Sequence, residues 1–167
     1  MKLKLALLVL VVGARVFAAG PLEDKTPAYF VDRYGPATES RMEMSASFFI
    51  RKRGAAKVDG SFSVREFRHN DLRVTAVFFH PSLKLASVRL QLKHAWTAEQ
   101  VAAALEAYGA SWKPTDGGID IKEWIAPDGT QAIKMLTWVD FQSAEAVALA
   151  NKALAEADAK RKANPKL

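Results

Sequence analysis

Residues 60–112, GSFSVREFRHNDLRVTAVFFHPSLKLASVRLQLKHAWTAEQVAAALEAYGASW, decide the fold. Over 85–93, Val88, Leu90 and Leu92 alternate with Ser87, Arg89, Gln91 and Lys93. A period of two predicts a strand with one buried face and one wet face. Residues 72–79 are apolar on both sides, with Leu72, Val74, Ala76 and Phe78 opposed to Val77 and Phe79. That pattern predicts a strand covered on both faces. Residues 61–68 alternate less cleanly, Phe62 and Val64 against Ser63 and Arg65. The joints at 69–71 and 80–82 are short and turn-rich, so the three strands read as an antiparallel meander.

A helix follows Trp96. Thr97 is a good N-cap, and Gln100 stands where a capping-box partner belongs. Val101, Ala104, Leu105 and Tyr108 form one apolar stripe for packing on the sheet. Gly109 is placed to stop the helix in a left-handed C′ conformation, and Trp112 to cover the open end of the core.

Working toward the N-terminus, residues 37–43 are polar and read as loop. A first strand over 44–50 ends in Arg51, Lys52 and Arg53, and 54–60 break it. Thr26 and Pro27 open a short helix carrying Tyr29, Phe30, Val31 and Tyr34, stopped by Gly35 and Pro36. Its aromatic residues predict a lid over a core edge. Residues 1–18 read as a secretory signal peptide: Lys2 and Lys4 start it, 5–12 are apolar, and Val16 and Ala18 precede a cut before Ala19. The apolar run is shorter than the ~20 residues of a membrane span, so no transmembrane segment is expected in the mature chain.

Toward the C-terminus, 114–118 read as a turn. Strands are expected over 119–125 and 131–139, joined by the turn Pro127-Asp128-Gly129-Thr130. Glu123 interrupts the apolar face of the first, and Trp124 and Trp138 are expected to neighbour each other across this hairpin. Ser143 caps a last, alanine-rich helix with a thin stripe of Val147, Ala150 and Leu154. Residues 158–167 form a basic tail. The expected fold class is therefore α+β: an antiparallel β-meander with helices packed mainly on one face, plus a C-terminal hairpin and helix. The domain divisions are a signal peptide at 1–18, one domain at 19–157 and the tail.

The 167 residues are 50% hydrophobic and 25% charged, with no cysteine. That composition suits one globular domain and excludes disulfides and thiolate chemistry. Half of the +6 formal charge belongs to the leader's Lys2, Lys4 and Arg15, which argues against nucleic acid as a partner. The three histidines lack metal-ligand spacing, and no G-x-S-x-G elbow or phosphate-binding glycine loop occurs. No catalytic residue, metal site or cofactor is assigned. Arg51, Lys52, Arg53, Arg65, Arg89 and Lys93 are the candidate site, a basic patch for an anionic surface.

A leader, a helix ending in Arg33-Tyr34-Gly35, a meander, a helix near Tyr108 with Trp112 just after it, and a tryptophan-bearing hairpin with Asp128-Gly129 together resemble small exported bacterial α+β proteins of uncharacterised function. The layout is also similar to the helix-plus-meander units of outer-membrane assembly lipoproteins and beta-lactamase inhibitor proteins. This chain lacks the lipidated cysteine of the former and the disulfides of the latter, and no binding residues are carried over. The leading functional expectation is a non-catalytic binding or envelope-associated protein of the periplasm or medium, its partner an envelope protein or anionic envelope polymer. One alternative is an inhibitor or chaperone-like partner of another envelope protein, which needs an exposed, weakly charged sheet face or edge. The other is a hydrolase without a recognisable motif, which needs a concave pocket with converging polar groups.

Overall fold

The computed structural model describes residues 22–51, 53–109, 111–115 and 121–163. The expected leader and its cleavage point lie outside them. After a short 3-10 turn at Leu22–Asp24 come α1 (Pro27–Tyr34), β1 (Glu39–Ile50), β2 (Gly54–His69), β3 (Leu72–Phe79), β4 (Leu85–Gln91) and α2 (Ala98–Tyr108). Then follow β5 (Lys113–Thr115), β6 (Lys122–Ile125), β7 (Gln131–Lys134), β8 (Trp138–Gln142) and α3 (Ala144–Ala163). The strands make one antiparallel sheet in the order β1-β2-β3-β4-β8-β7-β6-β5. This is the expected α+β meander. No described helix is long and apolar enough to cross a membrane, which says nothing of β-barrels.

The strand order divides the chain into two like units, α1 with β1–β4 and α2 with β5–β8. They meet where β4 pairs with β8, Arg89 opposite Asp140. Each unit's helix ends in Tyr-Gly, and the hydroxyls of Tyr34 and Tyr108 hydrogen-bond to each other at 2.8 Å in the core. Both helices lie on one face of the sheet, here the helical face. There Phe30, Tyr34, Phe67, Phe78, Tyr108 and Phe141 are buried with Val74, Val88 and Leu90. Burying each such side chain favours folding by about 1.5–3 kcal/mol. Lys25 is buried beside them, its ammonium 4.6 Å from the Tyr29 ring centre. Burial first, and then Arg33, lower its pKa.

The α2 capping box forms in full: Gln100 N donates to Thr97 Oγ1 and Thr97 N donates to Gln100 Oε1. Val101, Ala104 and Tyr108 are buried and Leu105 packs against them. Gly109 corrects the expected left-handed stop, because its φ of 172° is extended. Glycine is needed there for space, since a Cβ would meet the Trp112 ring at 2.6 Å. Trp112 closes the helix end as expected, donating from Nε1 to Leu105 O at 2.8 Å and packing against Phe141.

Several boundaries differ from the sequence reading. β1 starts at Glu39 within the expected loop, because residues 39–42 are exposed on both sides of an edge strand and so carry no apolar alternation. β2 starts at Gly54, so 54–60 are strand rather than a break. Only residues 62–69 of β2 pair with β3. Residues 45–50 and 54–59 therefore pair with each other as a two-stranded arm. Pro114 sits in β5, at the sheet edge where a missing N–H is tolerated. The expected strand 131–139 is two strands, turned where Met135 N donates to Trp138 O. Trp124 consequently faces Ala132 and Trp138 faces Gln91, on opposite sides of the sheet, and the tryptophans do not pair. Ser143 Oγ accepts from Ala146 N to cap α3, which stays helical to Ala163 through most of the expected tail.

The α3 helix packs on the other face, where Ala146, Val147 and Ala150 meet Phe48, Ile50, Ala56 and Val58 of the arm and Phe62 of the adjoining sheet. It covers only one end of that face. The remainder is polar and positions the site described next.

Candidate functional site

Beside α3, the uncovered part of this face holds a cleft of about 270 Å³. Its organisation follows from register. Glu66, Thr75, Arg89 and Asp140 stand directly opposite one another across β2, β3, β4 and β8. Alternation puts all four side chains on the cleft face. Arg41 of β1 and Arg73 of β3 reach into the same space.

Glu66 is the hub. Its Oε2 accepts from Arg73 Nη2 at 2.7 Å and Nε at 3.1 Å, and its Oε1 accepts from Arg41 Nη1 at 3.1 Å. Burial pushes this carboxyl up, but Arg73 and Arg41 outweigh it and hold the group below the usual carboxylate range. Arg41 also donates to Glu43 at 2.7 Å and to Glu39 at 2.9 Å. Asp140 is the second floor carboxylate. Its Oδ2 accepts from Arg89 Nη2 at 3.1 Å and from Gln142 Nε2 at 3.2 Å. Here burial wins over those two donors and raises the pKa. Arg89 also lies 4.6 Å above the Trp138 ring, a favourable cation–π position.

The carboxylates are sunk and the guanidiniums are not. The side chains of Glu66 and Asp140 are 7% and 4% exposed, whereas those of Arg41, Arg73 and Arg89 are 38%, 44% and 43% exposed. Arg73 Nη1 and Arg89 Nη1 make no hydrogen bond among the described residues. Buried acids thus fix the bases in place and leave outward N–H donors for a ligand.

The sequence-predicted patch does not gather at this cleft. Only Arg89 belongs to it. Arg65 is half-buried on the helical face, its Nε unpartnered among the described residues. Arg51 leaves the arm to pair with Glu123 Oε2 of β6 at 3.1 Å, and Arg53 pairs with Asp158 of α3. Lys93 lies past β4, 3.5 Å from Asp71, and Lys52 lies outside the described residues. Arg41, Glu66, Arg73 and Asp140 were missed. The available signal was a charged residue set between apolar neighbours, as Asp140 is between Val139 and Phe141; Glu66, next to Arg65, carries no such mark.

Neither His80 nor His94 lines the cleft, and both are exposed. Among the described residues no group of three His, Asp or Glu side chains is placed to hold a metal. What the arrangement offers chemically is recognition: planar cationic donors, the Thr75 and Ser87 hydroxyls, and an indole. Comparisons with family models, curated proteins and solved structures returned no match to this chain.

Replacing Asp140 by asparagine tests the electrostatics of the floor. The folded state binds the Asp140 proton more tightly than the unfolded chain does, so the ionised carboxylate costs stability above its folded pKa. That cost vanishes below the unfolded value. Asp140→Asn is therefore expected to raise Tm at pH 7. The gain shrinks as pH falls through the raised pKa, and paired thermal melts across pH 3–7 measure it.

Proposed function

We propose that this chain is an exported, non-catalytic binding protein that engages a polar loop of a partner protein through the cleft beside α3. The observation that carries the reading is the set of half-exposed guanidiniums of Arg41, Arg73 and Arg89, fixed by buried Glu66 and Asp140 and adjoined by Trp138. Arginine and tryptophan are the residues that concentrate binding energy at protein interfaces. Pre-fixed side chains also lose less freedom on association. The charge balance favours a protein partner over an anionic polymer, because Glu39, Glu43, Glu66 and Asp140 offset the three arginines. Export is supported by the sequence of residues 1–18 alone.

Capture from the organism's envelope fraction on immobilised protein, at about 50 mM and about 500 mM salt, tests the proposal. A defined protein held at both salt levels, and lost when Arg73 and Arg89 are both alanine, is the expected result. Capture that disappears at high salt for both versions marks diffuse anionic binding instead, since exposed charges are screened beyond roughly 10 Å at 0.1 M salt. That outcome overturns the assignment of the cleft.

A further inference from the structure

We infer that the outer edge of β1 pairs with the same edge of a second copy of this chain, antiparallel and centred on Met42. β1 is an edge strand, and its first half borders the body of the sheet. An edge strand carries backbone donors and acceptors that can template another strand. Natural edges are blunted by repulsive charge, but Glu39, Arg41 and Glu43 alternate in sign. In a two-fold pairing about Met42, Arg41 of each copy faces Glu43 of the other, on the cleft face. The donors and acceptors for that contact are free. Arg41 Nη2 and Glu43 Oε2 make no hydrogen bond among the described residues, while Arg41 Nε and Nη1 are already held in place. Opposite charges directly across from each other favour a strand pair.

The same register disposes of the apolar surface at this edge. Met42 is 53% and Met44 77% exposed, and Met44 sits at the register shift between Glu43 and Ser45. Pairing about Met42 sets the two Met42 side chains against each other on the helical face and Met44 against Ser40. A register centred on Ser40 also matches charges, Glu39 with Arg41, but leaves Met44 unpaired. At the other edge, β5 is only three residues long and contains Pro114, a standard protection against strand addition. Association is thereby directed to β1. The two clefts would then lie on one continuous face, related by the two-fold axis, a geometry suited to a two-fold partner.

The absence of cysteine makes single-cysteine cross-linking a clean probe. Facing Cα atoms across an antiparallel pair are about 4.5–5.5 Å apart, within disulfide range. Under mild oxidation Met42→Cys is expected to form a covalent dimer in high yield. Met44→Cys, with its copies roughly 13 Å apart along the strands in this register, is not. Light scattering of the unmodified protein should show a concentration-dependent dimer that Met42→Lys abolishes with its circular dichroism unchanged. A monomer at all concentrations, or equal cross-linking by both cysteine variants, overturns the inference. Neither readout depends on a cleft ligand, so failure here leaves the binding proposal standing, and the reverse also holds.

Discussion

Phe67→Ala lowers the free energy of unfolding by about 3–5 kcal/mol. Phe67 is fully buried on the helical face. Its ring stacks on Phe30 at 5.7 Å and contacts Tyr34 at 6.3 Å, so it joins β2 to α1 directly. Removing the ring forfeits its transfer energy and leaves a hole between a strand and a helix of only eight residues, which has few other contacts to hold it. A typical domain has about 5–15 kcal/mol in total, so this one change takes a large share. Urea denaturation checks it: the midpoint falls while the slope stays constant. Met44→Ala, on an exposed side chain, is the control, with a change within roughly 0.5 kcal/mol.

Glu66→Gln destabilises the chain at pH 7 by about 2–3 kcal/mol and loosens the cleft at the same time. The variant keeps the side chain's shape but leaves Arg41 and Arg73 without their common anion. Breaking a wholly buried pair costs about 3–5 kcal/mol. The smaller figure applies because both arginines remain in reach of water. Glu66 has a folded pKa below its unfolded one, so its stabilising contribution is present above the unfolded value of about 4.3. It is lost as pH falls through the folded pKa. Wild type and Glu66→Gln should therefore converge in stability in acid, as wild type and Asp140→Asn do, but at neutral pH the Glu66 variant is the less stable of its pair and the Asp140 variant the more stable of its pair. Melting curves of the three proteins at pH 7 and pH 3 read both signs. A Glu66→Gln protein as stable as wild type at pH 7 would mean that the arginines contribute nothing through Glu66.

The meander and α2 were legible because their signals are local. Leu85 to Gln91 alternates, and Thr97 and Gln100 form their cap within four residues. The arm was not legible. Lys57, Asp59 and Gly60 look like loop, and only Ala56 and Val58 face α3, so the apolar signal of that segment is two small side chains. The turn at residues 135–137 was hidden because Met135 and Leu136 are apolar, although Leu136 proves to be exposed. The doubling of the helix-plus-meander unit has only faint sequence traces: Tyr-Gly at 34–35 and 108–109, and Val-x-x-Gln at 88–91 and 139–142. The cleft depends on β4 meeting β8 across 46 intervening residues, and no local pattern specifies that pairing. The basic residues were visible, but a basic residue's partner is set by register. Arg65 and Arg89 therefore ended on opposite faces, and Arg53 and Lys93 each beside an acid.

The most direct test of the account is the affinity of the captured partner for wild type and for the Arg73→Ala/Arg89→Ala variant, measured by calorimetry at constant salt. If the cleft is the binding surface, the double variant loses on the order of 100-fold or more, corresponding to about 2.7 kcal/mol or more from two central arginines. Unchanged affinity in a variant that remains folded would contradict it and place recognition elsewhere on the molecule.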